Sequence, residues 1–196
     1  MDQIVRPDTR LPAHQIAYAR LRDMVLFGDL APGEGVTIEG LVARLDLGMT
    51  PVREALRRLI AEGALRLLGN RRVCVPVLDN RALDDLAHLR LSVEPRLAVA
   101  ALGQFDAALL GQLRALDEGV DRALGNGDVA GYLRGNHAFH FTLFARAGSE
   151  VLEGLASSIW LRFGPSLRVV CEGGGLDHRS PDHHKAVLDA LQIRDA

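Results

Sequence analysis

At 196 residues, 48% of them hydrophobic, the chain can hold one large or two modest domains with real cores. Its net charge of −2 does not advertise nucleic-acid binding, yet residues 1–76 carry 11 Arg against 9 Asp or Glu and the remainder 12 Arg or Lys against 16, a mildly basic front and an acidic back. No stretch is apolar enough for a membrane span, the N-terminus lacks the apolar middle of a secretory signal, and two cysteines are too few for a disulfide framework, so the chain is expected in the cytoplasm with Cys74 and Cys171 as free thiols.

Ile16, Ala19, Leu21, Val25 and Leu26 recur at helical spacing and predict a first helix over 13–27, stopped by Gly28 and the turn Ala31-Pro32-Gly33. Thr37 can cap a second short helix whose apolar face is Ile38, Leu41, Val42 and Leu45. A third helix follows over TPVREALRRLI. Thr50 is read as its cap and Pro51 as its first residue, where no N–H is needed. Val52, Leu56, Leu59 and Ile60 form its back, and Arg53 and Arg57 stand one turn apart on its front. Two short helices joined by a tight turn, the second with an arginine front, make a helix-turn-helix.

Glu62-Gly63 ends the third helix, and the runs 64–68 and 73–77, separated by Gly69-Asn70-Arg71-Arg72, read as a β-hairpin with a basic tip. The order is that of a winged helix-turn-helix, with the wing arginines set against phosphates or in the minor groove. The DNA-facing candidates are Thr37, Met49, Thr50, Pro51, Arg53, Arg57, Asn70, Arg71 and Arg72. Arg57 and Arg58 also read as a solvated helix face.

Residues 77–80 form a short linker, which divides the chain into a DNA-binding domain over 1–76 and a second, helical domain over 81–196. Beyond the linker no strand pattern occurs. Amphipathic helices are predicted over 81–103, 105–124, 129–147 and 151–170, then a loop through Gly173–Gly175 and Ser180-Pro181, and a last helix from His183. The fold class is therefore mainly α, a winged helix-turn-helix followed by an all-α antiparallel bundle.

Three side-chain groups in the bundle could carry chemistry. Arg90 and Glu94, one turn apart, read either as an intrahelical ion pair or as part of an anion site. Asn136 and His140, also one turn apart, can offer an oxygen and an imidazole nitrogen to one metal ion, with His184 as a third donor; the same spacing describes a histidine satisfied in a core. His178, Asp182 and His183 could form a surface metal site. No nucleophile–base pair and no phosphate-binding glycine loop is present, and Glu94 is the only carboxylate near a basic role, so an enzyme is not expected.

The segment LRDMVLFGDLAPGEGVTIEGLVARL, followed by TPVREALRRLIAEGALRLLGNRRVCV, resembles the DNA-binding domain of the GntR transcriptional regulators in order and spacing. That resemblance implies a bacterial homodimer on a palindromic double-stranded operator. It implies base or phosphate contact for Thr50 and Arg53. Two departures stand out. Gly48 and Met49 replace the usual Ser or Thr and base-reading Arg, and Arg72 replaces the usual wing-tip Gly.

The segments LRLSVEPRLAVAAL, NHAFHFTLFARAGSEVL and HHKAVLDALQIRDA resemble the FCD effector domain of the FadR-like branch. This implies a small carboxylate effector, oriented by Arg90 and by a divalent metal (Zn, Ni or Mn). The metal would be held by Asn136, in the place of an Asp, with His140 and His184. A further histidine helix of the family is expected beyond Ala196, so the bundle reads as shortened, with a groove left open. The alternative is a constitutive DNA-binding protein whose effector domain has lost sensing.

Overall fold

The computed structural model describes residues 11–69, 72–175 and 183–195. The head begins with α1 (Ala13–Leu26), then β1 (Val36–Thr37), α2 (Ile38–Leu45), α3 (Met49–Ala61), β2 (Arg66–Leu68) and β3 (Arg72–Cys74). The body is α4 (Asn80–Ala101), α5 (Ala107–Gly125), α6 (Val129–Phe144), α7 (Glu150–Val170) and α8 (His183–Asp195). Asn70, Arg71, His178 and Asp182 lie outside the described residues.

The helix-turn-helix forms as expected, with two corrections at its joints. Thr37 caps α2, its hydroxyl accepting the Gly40 N–H at 3.0 Å, but it also ends a strand. That strand, β1, pairs antiparallel with β3, so the wing is a three-stranded sheet in the order β1-β3-β2. Two residues are too short a run to show strand periodicity, and only the partner strand reveals them. The wing strands are also shorter than 64–68 and 73–77, because Ala64 and Leu65 turn inward to the core. Second, Thr50 is not the cap of α3. The helix begins at Met49 on a Gly48 cap that offers no side-chain bond, and Pro51 is its third residue. Pro51 remains within the first turn, where its missing N–H costs nothing.

Four body helices start on a side-chain cap, each about 1 kcal/mol of helix stability. Asp79, Asp106, Asp128 and Ser149 accept N–H bonds from Ala82, Leu109, Gly131 and Leu152. Helix α7 does not give way to the loop expected at Glu172 but continues as a π-helical turn over Cys171–Gly175. Two body cores form. One joins α5, α6 and α8 through Leu109, Leu113, Phe139, Leu188 and Leu191; the other joins α4, α6 and α7 through Val93, Leu97, Phe144 and Ile159.

The head does not hang from its linker. Its core of Leu21, Val25, Leu41, Val52, Leu56 and Leu59 continues into Leu133, Trp160 and Leu161 of the body. Gly164 of α7 lies so close to the Leu26 carbonyl of α1 that a Cβ there would overlap it.

Candidate nucleic-acid interface and effector site

Helix α3 buries Val52, Ala55, Leu56 and Leu59 against α1 and α2, which leaves Thr50, Arg53, Glu54 and Arg57 on its outer face. Arg53 and Arg57 make no ion pair or hydrogen bond among the described residues, and both guanidinium groups are free for an external acceptor. Arg58 is different. Its Nε donates to Glu62 Oε1 at 2.9 Å and its guanidinium lies 3.7 Å over the Tyr18 ring, so it fastens α3 to α1. Tyr18 completes that corner by donating its hydroxyl to Glu62 at 3.0 Å, and burial together with the Glu62 carboxylate holds the phenol above its ordinary pKa.

Met49 and Pro51 are half-buried at the start of α3, with Thr50 exposed between them. Because Gly48 supplies no side-chain cap, the Met49 and Thr50 amides at the start of α3 have no capping acceptor among the described residues. In the wing, Arg72 donates Nη2 to the Gly35 carbonyl at 2.7 Å, back along the sheet edge. Its guanidinium thus fastens β3 to the segment before β1, which the sequence could not show without knowledge of β1. Glu54, not singled out from the sequence, stands on the same exposed face and can accept from a cytosine amino group.

In the body, the two candidate groups meet across one side chain. Arg90 and Glu94 form an ion pair on α4, Nε to Oε1 at 2.6 Å and Nη2 to Oε2 at 3.3 Å. The same Oε1 accepts the Trp160 indole N–H at 2.9 Å. The Arg90 guanidinium lies 4.9 Å from both the Trp160 and the Phe163 rings. His140 also meets the indole, with ring centroids 5.1 Å apart. Trp160 is the residue that the sequence reading missed as part of the site. Its helical position marked it only as core, and its N–H partner lies 66 residues away.

Asn136, His140 and His184 do converge, although they come from two helices. His184 Nε2 is 3.1 Å from Asn136 Oδ1, and the His140 and His184 rings are 5.3 Å apart, edge to face. His184 stacks on Phe139 at 3.9 Å and sets Nδ1 3.2 Å from Asp117 Oδ1. A carboxylate on one imidazole nitrogen fixes the tautomer and turns the other nitrogen toward a ligand, the usual outer-shell arrangement. With the Nδ1 proton given to Asp117, Nε2 carries a lone pair. Asn136 meets it either with its amide N–H or, oxygen inward, with both groups facing one cation.

His140 is neutral at physiological pH. Burial, then the charges of His184, Arg90 and His137, push its pKa from 6.5 down to about 3. A neutral imidazole is the metal-ligating form. The donor set of two imidazoles and an amide oxygen, with Asp117 behind, therefore fits a divalent ion that favours nitrogen, although no three His, Cys, Asp or Glu converge among the described residues. His183 is exposed, and the surface site suggested for it falls largely outside the described residues.

Comparison with known proteins bears on the family and the fold. Residues 13–75 match the bacterial regulatory proteins of the gntR family, and residues 85–196 match the FCD domain. The HTH-type transcriptional regulator McbR of Escherichia coli (strain K12) is 28% identical over 89% of this chain and 80% of its own length. The Nta operon transcriptional regulator of Aminobacter aminovorans is 32% identical over 80% of this chain and 74% of its own. The solved structure of E. coli McbR/YncC superposes with a TM-score of 0.83 at 25% identity, covering 95% of this chain and 89% of that one.

Proposed function

The chain belongs to the GntR family of DNA-binding transcriptional regulators and carries that family's FCD domain, and from this premise we propose that it is a homodimeric regulator whose operator affinity responds to a small carboxylate bound in the body. The observation that carries the reading is the pair of unengaged arginines, Arg53 and Arg57, on a helix whose opposite face is fully packed. Arg53, with Thr50 beside it, reads base edges and phosphates in the major groove, while the wing lies along the backbone. Two such heads related by a twofold axis read a palindrome. Dimerisation is supported by Leu89 and Val99 on α4 and Val151 and Leu155 on α7, large apolar side chains left on the outer faces of two helices that pack on one another.

The effector reading rests on Arg90. A carboxylate that enters beside Trp160 competes with Glu94 for a bidentate guanidinium in a partly buried, aromatic setting, where such a pair is stronger than in water. Asn136, His140 and His184 would hold a divalent metal, with Asp117 orienting His184. When bound, such an ion supplies positive charge that attracts the same carboxylate. Ligand binding that breaks the Glu94–Trp160 bond favours a different setting of α7 and so a different population of head positions. No helix among the described residues is long and apolar enough to cross a membrane.

The test is selection of bound genomic fragments with the purified chain, followed by titration of the selected operator against a panel of small carboxylates. An enriched palindrome whose affinity shifts with one class of acid supports the reading. Unchanged affinity across the panel removes ligand control and leaves a constitutive DNA-binding protein.

A further inference from the structure

Helix α7 packs on the head core and accepts Arg22 Nη2 of α1 on Ser157 Oγ at 2.6 Å, and beside these contacts it uses one device twice. Arg162 directs Nε and Nη2 at the carbonyl of Glu62, at 3.1 and 2.9 Å. Glu62 is the C-cap of α3. Further along α7, Arg168 donates Nη1 to the carbonyl of Phe27 at 3.2 Å and to Asp29 Oδ1 at 3.1 Å. Phe27 is the C-cap of α1. Each capped carbonyl is followed by a glycine in the left-handed region, Gly28 and Gly63, both at φ 72°. A Cβ at Gly63 would stand 3.0 Å from Arg162 Nη2, and one at Gly28 would stand 2.6 Å from Arg168 Cδ. The glycines therefore both turn the chain and leave room for the guanidinium.

The physics of the arrangement is direct. Carbonyls at a helix C-terminus lack partners within the helix, and the negative end of the helix dipole favours a cation there. Here the cations come from the body, not from the head. The two helices whose packing defines the head, α1 and α3, are each held at one end by an arginine of one body helix, α7. Glu62 joins this to the head's own fastening, because its carboxylate takes Tyr18 and Arg58 while its carbonyl takes Arg162. Helix α7 also carries Trp160 and its bond to Glu94.

We propose that Arg162 and Arg168 are positioning residues that fix the recognition helix in orientation relative to the body, so that a dimer accepts one half-site spacing on DNA. The proposal rests on the DNA-binding reading above. Neither arginine reads DNA. Each acts through the backbone carbonyl it caps. When the joint is rigid, the separation of the two recognition helices is set by the body, and an operator of the wrong spacing loses the contacts of one head. When the joint is loosened, the head stays folded on its own core and Arg53 remains free, but the separation is no longer dictated.

The experiment uses the full chain and duplexes carrying two selected half-sites with a variable spacer. Wild type should return one spacing. The double variant Arg162→Ala/Arg168→Ala should return several spacings of comparable affinity, with binding to the optimal spacing weakened about tenfold, as befits lost charge-assisted bonds. Its binding to unrelated duplex DNA should stay at the wild-type level. Arg162→Lys, which keeps a cationic donor near Glu62, should recover part of the spacing preference. A purely structural role would lower the thermal midpoint and leave spacing unchanged. A folded double variant with the single wild-type spacing overturns the proposal. Should the double variant not fold, the single variant Arg162→Gln takes its place, and a wild-type spacing profile there overturns the proposal equally. If wild type enriches no duplex at all, the DNA-binding reading falls and this proposal with it.

Discussion

The Trp160 indole N–H donates to Glu94 Oε1 at 2.9 Å, and Glu94 holds Arg90 with the same oxygen at 2.6 Å. One carboxylate oxygen therefore serves both an aromatic side chain of α7 and the guanidinium expected to meet an effector. Trp160 is the only tryptophan of the chain, so its emission reports this corner alone. Glu94→Gln should keep a neutral acceptor for the indole while releasing Arg90, and should tighten binding of a responsive carboxylate by roughly tenfold, the worth of one charge-assisted bond. Arg90→Ala should abolish the response. Tryptophan emission titrated with the panel of acids checks both, and equal affinities for wild type and Glu94→Gln would remove the competition between Glu94 and ligand.

On the recognition helix, Arg53 and Arg58 should behave oppositely. Arg53→Ala removes an unengaged guanidinium from the outer face and should cost about 1–3 kcal/mol of specific DNA affinity with little change in stability. Arg58→Ala breaks an exposed ion pair and a stack on Tyr18, and should lower stability by roughly 0.5 kcal/mol with little effect on DNA affinity. Fluorescence anisotropy with the selected operator, beside denaturant unfolding, separates the two. A large DNA effect for Arg58→Ala and none for Arg53→Ala would displace the reading face.

His137 supplies a pH test. Its ring stacks on Phe141 at 4.2 Å and meets Phe27 edge-on at 5.7 Å, and its buried Nε2 has no hydrogen-bond partner among the described residues. Burial first, and then the Arg22 charge, lower its pKa from 6.5 to about 4. The folded chain therefore takes up this proton near pH 4, and the unfolded chain near pH 6.5. Between those values the unfolded state binds more protons, so stability is full above pH 6.5 and falls as pH drops toward 4, by up to about 1.4 kcal/mol per unit. His137→Phe keeps the stack and removes the proton site. In chelator-treated protein it should reduce the fall in stability between pH 7 and 5, measured by urea unfolding, and leave the part that His140 contributes. An unchanged slope would mean that His137 is not the titrating group.

The metal reading turns on Asn136. Asn136→Asp puts an anionic oxygen in place of a neutral one, 3.1 Å from His184 Nε2 in the present side chain. It should raise zinc affinity by roughly tenfold or more, since a charged oxygen offsets the ion's own charge. His140→Ala should reduce the metal content of the protein as purified. Elemental analysis and zinc titration check both, and identical metal content in wild type and His140→Ala would remove the site.

Much of the head was legible in the residue order. Local signals specify it: the Gly28 stop, the Thr37 cap, the apolar back of α3 and the Glu62-Gly63 ending are each carried by residues within one helical turn. The errors lay where a partner distant in sequence decides. Strand β1 exists because β3 lies beside it, and Arg72 turns to Gly35 because β1 brings that carbonyl near. The start of α3 moved by two residues, to a Gly48 cap in extended backbone that offers no side-chain bond, which Thr50 had been expected to supply.

The body shows the same division more sharply. Periodicity marks its helices, and the pairs Arg90–Glu94 and Asn136–His140 are visible as neighbours one turn apart. That Trp160 touches both pairs, that Asp117 backs His184, and that α7 caps both α1 and α3 are relations among residues that helical spacing does not connect, up to 141 positions apart. What the sequence alone determined is the set of helices, the family resemblance and the exposed arginine face of α3, because helical spacing and local capping need only near neighbours. The tertiary structure alone decided which side chains share a carboxylate, a ring or a carbonyl. Those choices depend on how helices cross in space, and no spacing along the chain encodes the crossing.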